Sequence, residues 1–585
     1  MKKIIFLLVF IAGVLVFQSC SNDKISSIPA DFATADQIAI NAANVKAYIN
    51  NLYAFVPRGY NRLDTDPNSD DIATGALPGV PGKGSLTAMV ASATDEAVHA
   101  TRNSAAEKWG TGNWSSSSTN NWDTQIKTEY TGIRRTFSYT EDIAPKLPIG
   151  LGGNEISPAL RDQYLGEALF IRALLNFELL KRYGGYPIVK TQLAADGNFN
   201  IPRNTYDECT KYISDMCDQA QALLPVVYPT AASDFGRATK GACMALKARL
   251  LLYAASPLNN PSNDITKWQA AAAASAAIIS SGTYSLYPAG TAGAGYESFF
   301  LTISPNPELI FSRLEPASSD IDQMNGIPSI NLGYGGTCPT LDLVNDYETV
   351  DGKPFDWSNP AMAASPFTNR DPRFAKTILY NGAVWTPVGT PPIATVDTYD
   401  GGKDITNVPY PTRTGFYLRK FMGINARWIA PISNVNHSFP IFRYAEVLLN
   451  YAEAMNEAYG PDNASTFTLT ARQAIALIRT RAGLTANQSV TAATTQALMR
   501  TAIRHERRIE LAFEEHRHMD LRRWMTAETV LNQPVSGLKI VKVGSTFTYT
   551  PQVVEQRVFT NKMYRYPFPQ DELSRNPGLV QNPGW

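Results

Sequence analysis

Apolar residues recur three or four positions apart in two long parts of the chain, residues 157–282 and 441–524. This spacing places them on one face of a helix and predicts a mainly α-helical protein. The boundaries agree, because Ser157 and Pro158 suit the start of a helix and Gly184 suits its end. Helices are predicted at residues 36–53, 85–103, 130–143, 157–183, 205–224, 239–256, 268–281, 444–459, 471–482 and 495–515.

The stretch between the two helical parts, residues 283–440, is rich in proline, glycine and aromatic residues and has few helical runs. Irregular segments of that length are uncommon in compact proteins and usually carry function. We therefore predict one large domain at residues 36–585, in which loops at 283–440 form a ligand-binding portion over a helical scaffold. Helix pairs of this size are typical of a tetratricopeptide-like layer, although their spacing follows no strict repeat.

Residues 503–524 contain no glycine or proline and predict a strongly charged helix that continues beyond residue 515. Glu506, Glu510 and Glu514 repeat every four residues, so they share one face, where like charges repel. We therefore expect these glutamates to pair with other segments and not within the helix. The alternative is a general acid and base, as in a glycosidase, but neighbours on one helix seldom stand on opposite sides of a bond.

Composition restricts the class of partner. The 585 residues carry a formal net charge of 0, with 18% charged and 44% hydrophobic residues. No basic field is available to hold nucleic acid, so that class of ligand is excluded. The chain is long enough for a large hydrophobic core.

Five cysteines and five histidines are too few and too scattered for a zinc site, and no C-x-x-C motif occurs. Cys209, Cys217, Cys243 and Cys338 are predicted to be small buried thiols, with a disulfide left open. No cofactor or metal is predicted.

The amino terminus has the pattern of an export signal. Lys2 and Lys3 precede an apolar run at residues 4–17, which is shorter than the ~20 residues needed to span a bilayer. The run ends in a Ser19-Cys20 step that resembles a bacterial lipobox. We predict a signal peptide at residues 1–19, lipidation of Cys20 and a polar surface tether at residues 20–35. The protein is then expected to associate with the membrane through its lipid anchor only.

Several motifs together resemble the SusD/RagB family. They run in order along the whole chain and comprise Tyr183-Gly184-Gly185-Tyr186-Pro187, Arg370-Asp371-Pro372-Arg373-Phe374, Gly415-Phe416-Tyr417-Leu418-Arg419, Arg504-His505-Glu506-Arg507-Arg508-Ile509-Glu510-Leu511-Ala512-Phe513-Glu514 and Tyr566-Pro567-Phe568-Pro569. The family consists of non-enzymatic, outer-membrane nutrient-binding lipoproteins of Bacteroidetes. The resemblance implies a cell-surface protein that captures oligosaccharides, or peptides in one branch. It also implies a partner, a TonB-dependent transporter of the SusC type, to which the ligand is delivered.

Carbohydrate recognition needs aromatic faces for sugar rings and fixed polar groups for hydroxyls. Bulky rings in the Gly/Ser loop at residues 108–118 make Trp109 and Trp114, with Asn113 between them, the first candidates. The resemblance puts the binding face near this loop, which adds Asp95 and Arg102 as hydroxyl partners. A second group of ligand-binding candidates comprises Tyr334 and Trp357. For each aromatic ring the alternative is packing beneath its loop, which is favoured for Trp122 and Trp357.

Two further classes of function stay open from the sequence. A surface glycoside hydrolase requires two carboxyl groups facing a cleft, and no recognised catalytic motif is present. A purely structural helical-repeat adaptor requires no small-molecule site and leaves the tryptophan loop unexplained. The predicted function is therefore glycan binding without turnover, with peptide binding as the nearest alternative.

Overall fold

The computed structural model describes residues 34–60, 62, 88–118, 126–150, 152–193, 199–228, 234–291, 293–390, 394–484, 486 and 488–585. The predicted signal peptide, Cys20, the tether up to residue 33 and Trp122 lie outside the described residues. In the described part, no helix is both long enough and apolar enough to cross a membrane.

The first half of the chain forms most of the predicted helices. Ser157 caps the longest of them by accepting a hydrogen bond from the Leu160 amide at 3.2 Å, and Gly184 ends it with a positive φ of 75°. The elements up to residue 301 are α1 Ala35–Ala39, α2 Ala42–Leu52, β1 Ala97–His99, α3 Ala105–Gly110, α4 Ile126–Phe137, α5 Pro158–Tyr183, α6 Tyr206–Leu223, α7 Lys240–Ala255, α8 Ile265–Ser280 and α9 Ala294–Leu301.

The second half combines short elements with a further group of helices. In order they are β2 Leu309–Ser318, α10 Asp320–Asn325, β3 Thr337–Pro339, α11 Leu341–Asp346, α12 Pro360–Ala364, α13 Phe374–Thr377, β4 Ile378–Leu379, β5 Tyr417–Leu418, β6 Val435–Arg443, α14 Tyr444–Tyr459, α15 Ala471–Ala482, α16 Gln488–Thr491, α17 Gln496–Glu510, α18 His516–Arg523, α19 Ala527–Val530, β7 Val535–Val543, β8 Thr546–Glu555 and α20 Gln570–Arg575.

The described strands form four antiparallel pairs, β1 with β3, β2 with β6, β4 with β5 and β7 with β8. The helices pack in sequence, α5 on α6, α6 on α7 and α7 on α8, and α14 connects α8 to α15 and α17. The expected mainly helical architecture is therefore confirmed. The finer tetratricopeptide-like description stays a prediction.

The helix predicted at residues 85–103 is wrong. A short 3-10 turn at Val90–Ala93 leads through a turn into strand β1, so Asp95 and Glu96 are not helical. The Thr94 amide donates to the Ala91 carbonyl and closes the turn. The chain then leaves the helical conformation and pairs with β3 as strand β1. Tertiary pairing with a strand about 240 residues away in sequence has overridden the local pattern.

The charged helix predicted beyond residue 515 is broken into α17 and α18. Phe513 and Glu515 have positive φ values of 65° and 64°, so the backbone between the helices turns sharply. The turn directs the glutamates inward: Glu510 and Glu514 both pair with Arg443, at 2.8 and 2.6 Å. These glutamates therefore pair with an arginine from a distant segment, as predicted, and not within their own helix.

The glutamates of this segment are buried and already paired. Arg373 contacts Glu506 at 2.6 Å and Glu510 at 2.8 Å. Burial opposes charge on Glu510, but the neighbouring arginines outweigh it and hold the pKa of that carboxyl well below its usual range. Carboxylates that are permanently ionised and inaccessible do not suit a general acid and base.

Candidate functional site

Strand β1 brings two loops together that are distant in sequence. Ala97 pairs with Pro339 and His99 with Thr337. Immediately after the strand, the Ala100 amide donates to the Gly336 carbonyl at 2.8 Å. The loop at residues 100–103 therefore lies against the loop at residues 326–336.

The second loop folds back onto helix α10. The amides of Tyr334 and Gly336 donate to the carbonyls of Gln323 and Met324, at 2.8 and 2.9 Å. Gly335 has a φ of +64°, and a Cβ there would lie 2.6 Å from the Tyr410 carbonyl oxygen. Only glycine allows this turn and this close approach, so Gly335 positions Tyr334 beside Tyr410.

Tyr334 and Tyr410 form a perpendicular aromatic pair with ring centroids 5.4 Å apart, and both residues are half-buried. Burial, and then the Tyr410 hydroxyl, raise the pKa of Tyr334, which keeps its hydroxyl a donor at neutral pH. Beside it Leu332 is 64% exposed and, like Asn331, has a positive φ. A left-handed leucine costs about 1–2 kcal/mol, and such strain concentrates at functional sites.

Arg102 lies two residues beyond the contact between Ala100 and Gly336, and its side chain is exposed. Its loop therefore adjoins the loop that carries Tyr334. We call this region the Tyr334 surface and define it by Arg102, Asn331, Leu332, Tyr334 and Tyr410. Two of the residues singled out in the sequence, Arg102 and Tyr334, thus lie on loops that meet at Ala100 and Gly336. Tyr410 was missed, and the available signal was an aromatic residue between Pro409 and Pro411 in a loop.

The expectation that Trp109 and Trp114 are exposed ligand platforms is wrong. Their side chains are 3% and 6% exposed, and the two indoles stack on each other. Tyr566 packs edge-on against both, and Trp585 contacts Trp114 at 4.6 Å between ring centroids. The carboxy-terminal segment covers the loop, so both rings belong to the core.

Asp95 is likewise not free to bind a sugar hydroxyl. It is buried and pairs with Arg508 at 2.8 Å and Arg517 at 2.7 Å. Burial opposes its charge, but the two arginines outweigh it and hold its pKa well below the usual range. Burial, and next the charge of Asp95, raise the pKa of the adjacent Glu96 to about 8. Asp95 therefore anchors β1 to α17 and α18.

Asn113 and Trp357 stand apart from the tyrosine pair in their contacts. Asn113 is exposed after α3, and its amide donates to the Lys108 carbonyl. Trp357 is half-buried, donates its Nε1 to Asn345 at 2.9 Å and packs edge-on against Phe355. The packing alternative for Trp357 thus agrees with its contacts.

A concavity of about 510 Å³ lies elsewhere, between α4, residues 187–193 and 199–201, and the carboxy-terminal segment. Its walls are mostly apolar, with Phe137, Val189 and Phe568 among them, and Lys127 and Arg134 lie at its edge. It contains no residue of the Tyr334 surface. The sequence reasoning did not anticipate it.

Chemically, the Tyr334 surface offers aromatic and aliphatic faces, hydroxyl and amide groups and an exposed guanidinium. Such a set suits non-covalent binding of a molecule that has both apolar faces and hydroxyl groups. Within the described residues, histidine, cysteine and carboxylate side chains form no cluster able to hold a metal ion.

Comparison with known protein families and curated proteins gives a consistent result. The family model described as "SusD family" matches residues 307–585, and one described as "Starch-binding associating with outer membrane" matches residues 64–252. Two SusD-like proteins of Formosa agariphila are each 26% identical to the chain. The matches cover 65% and 74% of this chain and 70% and 74% of those proteins.

Solved structures agree with the family models. A SusD-like protein from Bacteroides fragilis has 27% identity and a TM-score of 0.76, covering 96% of this chain and 100% of that one. A SusD-like carbohydrate-binding protein from the same organism has 24% identity and a TM-score of 0.71 (93% and 100% covered). A laminarin-binding SusD-like protein has 19% identity and a TM-score of 0.61 (93% and 100%). The last two show the fold alone. The chain belongs to the SusD/RagB family.

Proposed function

We propose that this protein binds oligosaccharides on the Tyr334 surface without turning them over. It then delivers them to a SusC-like TonB-dependent transporter of the outer membrane. The observation that carries the proposal is the half-buried pair of Tyr334 and Tyr410, next to the exposed Leu332 and to the loop of Arg102. Contiguous exposed apolar patches with polar groups at their rim often mark ligand-binding sites.

The geometry of the pair suits a sugar. Two rings at 81° present one face and one edge, so a pyranose can stack on the first while its substituents meet the second. The hydroxyl of Tyr334 and the side-chain amide of Asn331 add polar partners. The backbone bonds from the loop to α10 hold these groups in place before the ligand arrives, which lowers the entropic cost of binding.

Binding without turnover is supported by the state of the carboxylates. Glu506, Glu510 and Glu514 are buried in ion pairs with arginines and a lysine, and Asp95 is paired in the same way. None of them faces the Tyr334 surface as a free acid or base. A hydrolase needs two carboxyl groups within reach of one glycosidic bond.

The relatives support a glycan over a peptide. One matching family model is described as starch-binding, and two structural neighbours are described as carbohydrate-binding and laminarin-binding. These descriptions apply to those proteins, and we extend to this chain only the ligand class that they share.

The decisive experiment is calorimetric titration of protein that starts after Cys20 with a panel of glycans and peptides, followed by product analysis of each hit. We expect saturable binding of a glycan with no product. Tyr334→Ala and Tyr410→Ala should each weaken it at least tenfold. Tyr459→Ala is the control, because Tyr459 is also half-buried but ends helix α14, away from the surface. Turnover, or binding of peptides only, would overturn the proposal.

Anchoring and delivery need separate tests. Cys20→Ser should release the protein from the outer-membrane fraction if a lipid on Cys20 is the anchor. The wild-type protein should co-purify with a TonB-dependent transporter from mild detergent. Protein that stays in the membrane without Cys20 would overturn the anchoring part, and recovery without any transporter would overturn delivery.

A further inference from the structure

We infer that the oligosaccharide bound on the Tyr334 surface is anionic, carrying carboxylate or sulfate groups. The inference rests on the proposed function and specifies its substrate class. Its basis is a pair of arginines, Arg102 and Arg427, that flank the loop at residues 326–336 from two sides. Neither guanidinium has a carboxylate partner among the residues that the structure describes.

Arg102 lies on the β1 side of the loop. Its neighbours are fixed: the Thr101 amide donates to His99 Nδ1 at 3.1 Å, and the Asn103 amide donates to the Glu107 carboxylate. The Arg102 side chain itself is exposed. Backbone hydrogen bonds therefore fix the loop at residues 100–103, and the guanidinium of Arg102 remains accessible to a ligand.

Arg427 lies on the opposite side. It packs over Gly389, where a Cβ would be 2.9 Å from the guanidinium carbon. The carbonyl of Val388, the residue before Gly389, accepts a hydrogen bond from the Asn331 side-chain amide at 3.4 Å. This bond connects the segment under Arg427 to the Tyr334 surface. One guanidinium nitrogen of Arg427 donates to the Ala430 carbonyl at 3.0 Å. Its Nε is buried and makes no hydrogen bond within the described part of the chain.

Two carboxylates near the loop are already occupied by other groups. Glu107 pairs with Arg413 at 3.2 Å, and Asp404, which accepts from the Ser329 hydroxyl, pairs with Lys403 at 2.8 Å. These two carboxylates are therefore not available as partners of Arg102 or Arg427.

A guanidinium binds carboxylate and sulfate oxygens through paired, charge-assisted hydrogen bonds, about twice as strong as neutral ones. A neutral sugar hydroxyl leaves most of that capacity unused. Two such groups on either side of an aromatic pair suit a chain whose rings stack in the middle and whose acidic substituents reach outward. Because Arg102 is exposed and Arg427 is only half-buried, the attraction should weaken as salt screens it.

The test compares ligands that differ only in charge. Polygalacturonate oligosaccharides are titrated against the same oligosaccharides after methyl esterification, and carrageenan oligosaccharides against their desulfated form. We expect at least a tenfold preference for one charged form, decreasing between 50 and 500 mM salt, concentrations chosen to shorten the screening length to roughly a third. The two arms distinguish a carboxylate from a sulfate ligand.

Variants locate the effect. Arg102→Gln and Arg427→Gln should each reduce affinity for the charged form about tenfold and should reduce that for the neutral form much less. Arg134→Gln is the control, because Arg134 is an exposed arginine of helix α4 at the edge of the other concavity. Unchanged melting temperatures establish that the variants are folded.

Three outcomes are distinguishable. A charged ligand that depends on both arginines and on Tyr334 supports the inference. A neutral glycan that binds equally well and depends on Tyr334 alone overturns the inference and leaves the proposed function in place. If no glycan of either kind binds, the proposed function fails as well.

Discussion

The indole rings of Trp109 and Trp114 stack face to face, with centroids 4.1 Å apart and planes only 12° apart. Tyr566 and Trp585, from the carboxy-terminal segment, close the stack from the side. The two tryptophans of the glycine- and serine-rich loop therefore belong to a buried aromatic cluster and do not form an exposed binding surface. The proposed ligand site is instead the Tyr334 surface.

Trp109→Ala should lower the free energy of unfolding by roughly 3–5 kcal/mol, because it leaves a cavity where a buried indole was packed. Urea denaturation checks this value. Trp357→Ala is the control and should cost less, since Trp357 is half-buried. If Trp109→Ala keeps its stability but loses glycan affinity, the ring is a ligand contact after all.

Gly335→Ala should weaken glycan binding, because the added Cβ meets the Tyr410 carbonyl at 2.6 Å and separates the tyrosine pair. Gly401→Ala is matched for backbone strain, with a φ of +88° but no atom within 4 Å of the added Cβ. Calorimetry with the ligand found in the screen measures both. Equal losses in the two variants would show that the close approach to Tyr410 is unimportant.

Glu96→Gln should remove a pH dependence of stability between about pH 5 and 8. The folded protein holds a proton on Glu96 up to a pKa of about 8, whereas an unfolded glutamate loses it near 4.3. This proton stabilises the fold below the unfolded pKa, and its contribution is lost as pH rises through the folded pKa. The difference between wild type and variant should thus change by at most about 1.4 kcal/mol per pH unit.

The measurement is urea unfolding of both proteins at several pH values. Comparing the two cancels the titration of other groups, including the buried His516 and His518, whose pKa values are lowered by burial. Parallel stability curves for wild type and Glu96→Gln would show that Glu96 is ionised throughout this range.

Arg443→Met should destabilise the fold by roughly 3–5 kcal/mol, because it leaves Glu308, Glu510 and Glu514 buried without their shared partner. Lys211→Met, which breaks a solvent-exposed pair with Asp215, should cost less than about 1 kcal/mol. Thermal unfolding compares the two. Similar losses would mean that the buried cluster contributes no more than a surface pair.

Much of the fold was predictable, because helix signals are local. The spacing of apolar residues in α5, together with Ser157 at its start and Gly184 at its end, depends only on neighbours in the chain. The same holds for α14 and α15, whose bounds match the prediction. The break at Phe513 and Glu515 was not predictable, because the inward turn is stabilised by Lys420 and Arg443, which approach from distant segments.

The candidate site was predictable only in part. Arg102 and Tyr334 were singled out from the sequence and lie on adjoining loops, but Trp109, Trp114 and Asp95 were assigned to the wrong role. Whether a ring in a small-residue loop is exposed depends on what covers it, and Trp585, the last residue of the chain, does so here. Tyr410 was missed because its pairing with Tyr334 exists only through the fold.

By itself, the sequence determined the helical class, the motifs of the family and the order of the elements, since each depends on residues close together in the chain. Only the tertiary structure decided which side chains are accessible. The pairing of β1 with β3, the ion pairs of Asp95 and the covering of Trp114 by Trp585 join residues hundreds of positions apart. Contacts of that range leave no periodic signal in a single sequence, and they are the reason why the proposed site is the Tyr334 surface and not the tryptophan loop.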